Sequence, residues 1–147
     1  MKPPKAPELA AESTRKWWSS PGIVYFVAAG NPISAIKIGM AAQTGKNSLQ
    51  SAVHRRLSQI QTSNHERVEL IGLCYFTDSD YPTRDAEIYE RELHLKFAHL
   101  QRFKAGTRGA EWFNATSELL SEVAGVSTKP EQLDVPRYYA ELSENNA

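Results

Sequence analysis

A single cysteine, Cys74, stands among 147 residues. That excludes an internal disulfide and a thiolate zinc cluster, and it fits a reducing cytoplasm. Long apolar runs are missing too: the longest, Ile23 to Ala29, falls far short of the ~20 residues of a membrane helix. Met1 is followed by Lys2-Pro3-Pro4-Lys5 and then by Glu8 and Glu12, with no apolar stretch of a secretory leader. A cytoplasmic protein with no membrane partner is therefore expected. Excess charge of one sign is also absent, since 17 Lys and Arg balance 17 Asp and Glu. Several catalytic signatures do not occur: no phosphate loop, no GxGxxG, no HExxH and no GxSxG. The histidines His54, His65, His94 and His99 have no common metal-ligand spacing.

What is present suits one globular domain of ordinary size, with 41% apolar and 23% charged residues. The neutral total conceals an uneven distribution. Between Lys37 and His65 the cations Lys37, Lys46, Arg55 and Arg56 meet no acid. Between Leu93 and Ala110, Lys96, Arg102, Lys104 and Arg108 again meet none. From Glu118 onward acids dominate, against Lys129 and Arg137 only. A local basic patch, and not the sum, sets the field a phosphate meets.

The chain divides into an N-terminal extension (1–20) with a short helix, a central domain (21–125) and a polar C-terminal tail (126–147). Two adjacent tryptophans, Trp17 and Trp18, end the first helix and cannot both face one core. Ile23 to Ala28 and Ile33 to Gly39 read as strands joined by Gly30-Asn31-Pro32 turn chemistry, a β-hairpin. Ser48 can cap a helix reaching about Gln61. Val68 to Thr77 is a third strand, apolar enough for the middle of a sheet. Arg84 to about Phe103 is the strongest helix, striped by Ala86, Tyr89, Leu93, Phe97 and Leu100. Glu111-Trp112-Phe113 is a compact apolar return, followed by a short helix that Thr116 can cap. The tail beyond Lys129 has Tyr138-Tyr139 as its only apolar anchor. The order β-β-α-β-α plus a small helix gives an α+β domain whose helices cover the strands.

Two charged residues sit at the borders of apolar helix faces. Glu90 lies four residues after Ala86 and three before Leu93. It is either answered by an arginine or is a ligand for Mg²⁺, which takes one or two carboxylates and keeps its waters. Arg56 lies three after Val53 and four before Ile60. It is either half of an ion pair or a fork for phosphate. Tyr25 and Lys37 lie on neighbouring strands of the hairpin, where a phenol and an ammonium would ease each other's loss of a proton. Taken singly, each has a structural reading. Together Tyr, Lys, Arg and Glu can serve a one-metal phosphodiester hydrolysis.

Five ordered pieces carry a family resemblance: Gly22-Ile23-Val24-Tyr25-Phe26, Ile36-Lys37-Ile38-Gly39, Arg56-Leu57-Ser58-Gln59-Ile60-Gln61-Thr62, Glu90 through Phe97, and Gly109-Ala110-Glu111-Trp112-Phe113. In these the sequence resembles the GIY-YIG nuclease superfamily. It is similar in particular to the branch of the phage T5 open-reading-frame-172 DNA-binding and meiotically up-regulated gene 113 families. The resemblance implies a small three-stranded antiparallel sheet flanked by helices. It implies a metal-dependent DNA endonuclease using one Mg²⁺ or Mn²⁺ ion, with Tyr25, Lys37, Arg56 and Glu90 catalytic and Glu90 holding the metal. Lys37 stands where many superfamily members have tyrosine, as is normal in this branch. Lys46, Arg55, Lys96, Arg102, Lys104 and Arg108 are the expected DNA contacts, with a protein partner or dimer adding specificity. Two other readings stay open: a DNA-binding module of the same fold that does not cut, and a protein-interaction domain using Trp17-Trp18 and the acidic tail.

Overall fold

Strong strand formers separated by polar breaks set the order of elements. The computed structural model describes residues 2–102 and 111–139. A short helix α1 (Glu12–Trp18) precedes β1 (Gly22–Ala29) and β2 (Ala35–Ala42); then come α2 (Leu49–Thr62), β3 (Val68–Phe76), α3 (Pro82–Lys96), β4 (Trp112–Asn114) and α4 (Ser117–Val126). Ser48 caps α2 by accepting the Ser51 N–H at 3.0 Å, and Thr116 caps α4 by accepting the Leu119 N–H at 3.3 Å.

The domain is α+β, but its antiparallel sheet has four strands and not three, in the order β3-β1-β2-β4. The added strand, Trp112–Asn114, begins inside the Glu111-Trp112-Phe113 return. Three residues are too few to show a period of two, and the pairing of β4 with Ala35–Lys37 of β2 is a tertiary fact. β3 is an edge strand and not a central one. Its outer groups are satisfied by the tail: Thr128 exchanges hydrogen bonds with Leu73, and the Leu70 N–H donates to the Arg137 carbonyl at 2.8 Å. The tail is thus held at Thr128, Val135 and Arg137 as well as at Tyr139, which stacks on His54.

α3 begins earlier and ends earlier than its periodicity suggests. Pro82 occupies the first turn, where a missing N–H costs nothing. At Phe97 (φ −107°, ψ 21°) the chain leaves the helix, passes through a 3₁₀ turn (Ala98–Leu100) and runs beside β4, with Gln101 bridged to Phe113.

Alternation along the sheet splits the core into two layers. Ile23, Tyr25, Val27, Ala41 and Leu70 pack with Val53, Leu57 and Ile60 of α2. Val24, Phe26, Ile36 and Ile38 face Ala86, Leu93 and Phe97, with Leu119 and Val123 of α4. α3 meets β1 almost without a gap at Gly22, where a Cβ would lie 2.7 Å from the Thr83 Cα and 2.8 Å from the Pro82 carbonyl. Thr83 is tied there by its N–H and its hydroxyl to the Ser20 carbonyl, at 3.1 and 2.8 Å. Gly22→Ala must push backbone from backbone and is expected to cost about 1–3 kcal/mol, read as a fall in Tm. Among the described residues no helix is long and apolar enough to cross a membrane.

Candidate functional site

Tyr25 stands on the α2 face of β1, directly opposite Gly39 of β2. A Cβ at Gly39 would collide with the Tyr25 hydroxyl and ring. The glycine is thus what lets the ring lie flat across β2. Burial raises the phenol's pKa; Arg56 opposes the rise, while Glu111 and Glu90 add to it. The easing of proton loss expected for Tyr25 is therefore not found. Desolvation outweighs the neighbouring cation, and the Lys37 ammonium is engaged by the Glu111 carboxylate. Gly39→Ala is expected to cost about 1–3 kcal/mol of stability through overpacking. Any activity that depends on the hydroxyl should fall roughly 10²-fold through misplacement. Melting and activity measured together check both effects.

Glu90 comes from the opposite layer, on α3, and is not among the residues that line the groove at Tyr25; it is coupled to Tyr25, Lys37, Arg56 and Glu111 through charge, near the edge that β2 leaves open. β4 pairs with β2 only at Ala35–Lys37, and the Ile38 N–H still donates to the Glu111 carbonyl at 3.0 Å. Beyond that, no described strand covers Gly39–Ala42. α3 closes the gap: the His94 Nε2–H donates to the Ile38 carbonyl at 2.9 Å. Burial lowers the His94 pKa, so the ring is neutral with its proton on Nε2. Glu90 lies one turn earlier on the helix and is 7% exposed. Its carboxylate has no hydrogen bond or ion pair to any described residue, and its oxygens keep some contact with solvent, since among the described residues no fully buried side-chain oxygen lacks a partner. Burial pushes its pKa up to about 8; Glu111 and Glu87 add to the rise, and Lys37 and Arg56 oppose it.

Tyr25, Lys37, Met40, Arg56, Gln59, Glu111 and Trp112 line one groove of about 240 Å³. Arg56 is exposed and has no ion pair or hydrogen bond to a described residue, so it is not the partner of Glu90. Among the described arginines, only Arg55 and Arg56 lack such a partner or an aromatic contact. No group of three or more His, Cys, Asp or Glu able to hold a metal occurs among the described residues. A cation caged by protein does not fit. A hydrated Mg²⁺ or Mn²⁺ on one carboxylate does, because a buried, unpaired Glu90 beside the like charge of Glu111 is relieved by a divalent ion.

The remaining expected DNA contacts are scattered. Arg55 lines an adjoining groove that shares Arg56, and Lys46 is exposed in the loop above it. Lys96 pairs with Glu122 of α4 at 2.9 Å. Arg102 donates to the Ser34 carbonyl at 3.2 Å, at the hairpin end. Lys104 and Arg108 lie outside the described residues. Sequence reasoning missed Glu111 and His94 as members of this neighbourhood. The motif containing Glu111 was visible, but its ion pair with Lys37 depends on β4.

Residues 22–127 match the T5orf172 domain. The chain belongs to the T5orf172 domain family. That family is associated with nuclease and DNA-binding function. No curated protein and no solved structure matches the chain. The T5orf172 region starts at β1, so it includes Tyr25, Lys37, Arg56, Glu90 and Glu111 and leaves α1 outside.

Proposed function

We propose that this T5orf172 domain is a DNA endonuclease of GIY-YIG type that hydrolyses phosphodiester bonds with one divalent cation, Mg²⁺ or Mn²⁺. The observation that carries the reading is an unpartnered Arg56 in a groove lined by Tyr25, with the charge of an unpartnered Glu90 coupled to both residues from α3. Arg56 would grip the non-bridging oxygens of the scissile phosphate and meet the charge that grows on them. Tyr25, kept neutral by burial, would orient the attacking water by hydrogen bonding and not as a tyrosinate. Lys37, fixed by Glu111 and 5.9 Å from the centre of the Trp112 ring, would add positive charge on the far side of the groove. Glu90 would hold the cation, which supplies charge stabilisation at the leaving oxygen when bound. With few unpaired cations around the groove, sequence choice would come from a protein partner or a second copy.

The test is incubation with supercoiled plasmid and with branched DNA, in Mg²⁺, Mn²⁺ and chelator, beside Glu90→Ala. Metal-dependent nicking by wild type alone supports the proposal. A second reading, a DNA-binding module that does not cut, draws on the raised Glu90 pKa, which leaves the metal-free carboxyl mostly protonated at neutral pH. Tight DNA binding with no cut product in either metal would select it.

A further inference from the structure

We infer that the groove on the α1 side of Arg56 binds one unpaired nucleotide of the DNA strand flanking the scissile phosphate, its base stacked on Trp17. The inference rests on the DNA reading above. This groove measures about 290 Å³ and shares Met40, Arg56 and Gln59 with the groove that holds Tyr25. A strand whose phosphate lies on Arg56 therefore enters both. The volume is at the small end of ligand clefts, ~300–1,000 Å³, which suits one nucleotide and not a duplex.

Its outer wall comes from α1, outside the T5orf172 region. Trp18 anchors that helix: it is buried, its Nε1–H donates to Glu87 at 3.0 Å, and its ring meets the edge of Tyr81 at 6.3 Å. Trp17 is 38% exposed on a helix so fixed, so its exposure is not fraying of a loose end. A rigid, half-exposed indole beside an arginine is a stacking platform. Opposite it stand Asn47, Ser51 and Arg55, and the lining contains no acid. The Asn47 and Arg55 side chains have no hydrogen bond to a described residue. An amide and a hydroxyl can meet the base edge, which is accessible only when the base is unpaired, and Arg55 can take the next phosphate.

The experiment uses the full chain and fluorescence anisotropy with a labelled short oligothymidine and a labelled duplex, over a salt series. Trp17→Leu is expected to weaken oligothymidine binding by about 5- to 100-fold while Trp17→Phe retains most of it. Duplex binding should stay within about twofold, and the salt slope should not move, because stacking releases no counterions. Arg55→Gln should lower the slope by about 1. Melting of each variant is expected to stay close to wild type, since Arg55 is exposed and Trp17 half-exposed on a helix that Trp18 anchors. Unchanged oligothymidine affinity in Trp17→Leu, or an equal loss on duplex, overturns the inference. If Trp17→Leu shows the selective loss but wild type never cuts, the nucleotide site stands and the nuclease reading falls. If wild type cuts and Trp17→Leu binds normally, the reverse holds. If wild type binds neither DNA form, both fall.

Discussion

Glu90→Gln is expected to abolish cleavage and, near pH 8, to leave the protein more stable than wild type. The two effects share one cause. The carboxyl's pKa rises from 4.5 to about 8 in the folded chain, first through burial and then through Glu111. Between those values the folded state keeps a proton that the unfolded state has lost. Stability therefore falls as pH rises through that window and levels off above pH 8. At pH 7 the loss is about 3 kcal/mol. Glutamine keeps the shape and cannot ionise, so the variant should melt above wild type at pH 7–8 and close to it at pH 4.5. Mg²⁺ binds the ionised carboxylate in competition with the proton. Adding it should raise the Tm of wild type and not of the variant, by more at pH 7 than at pH 5. Cleavage should drop by at least ~10²–10³-fold, with metal-free DNA affinity at neutral pH unchanged, because the carboxyl is already mostly protonated there. A stability difference that stays flat from pH 4.5 to 8 would sink the assignment of Glu90 as a buried, unpaired acid.

The readable half of this site is local. The border positions of Glu90 and Arg56 follow from helix period alone, and the structure puts both where a partner is lacking. The Tyr25–Gly39 contact was implicit in the hairpin, since a register that pairs Phe26 with Ile38 also sets Tyr25 over the glycine. What could not be read is the way two layers meet around a sheet edge. That depends on β4 stopping at Lys37 and on His94 taking the Ile38 carbonyl in its place. A three-residue strand has no periodic signature, so Glu111 was visible as a letter in a motif and not as the neighbour of Lys37. The two tryptophans were legible as a conflict, because one helix face cannot bury both. Only the structure shows which is anchored and which is presented. The apolar run of β3 misled for a physical reason: the tail covers its edge, so an edge strand carries an apolar sequence although it is buried only at Val68, Leu70, Gly72 and Leu73, where β1 is buried throughout.

Arg56→Ala is expected to weaken DNA binding by about 10- to 100-fold, the worth of a charge-assisted hydrogen bond to phosphate, and to lower the salt slope by about 1. Cleavage should fall further, roughly 10³-fold, because the same guanidinium meets added charge as the phosphate becomes pentavalent. Stability should barely move, within about 0.5 kcal/mol, because the side chain is exposed and pairs with no described residue. That last clause separates a ligand fork from a structural ion pair. A buried Arg56–Glu90 pair would lose ~3–5 kcal/mol on removal of either partner. The structure has no such pair, so Glu90→Gln should stabilise while Arg56→Ala stays neutral. Lys37→Ala provides the internal comparison. Its ammonium is held by Glu111, so its loss frees a second carboxylate beside Glu90 and should push the Glu90 pKa higher still. The pH at which metal begins to protect against melting would then rise, which it should not do in Arg55→Ala. Thermal melts across pH and Mg²⁺, with binding and cleavage on the same preparations, decide the matter. An Arg56→Ala protein that unfolds early yet binds DNA with the wild-type salt slope would return Arg56 to the scaffold and take the phosphate site with it.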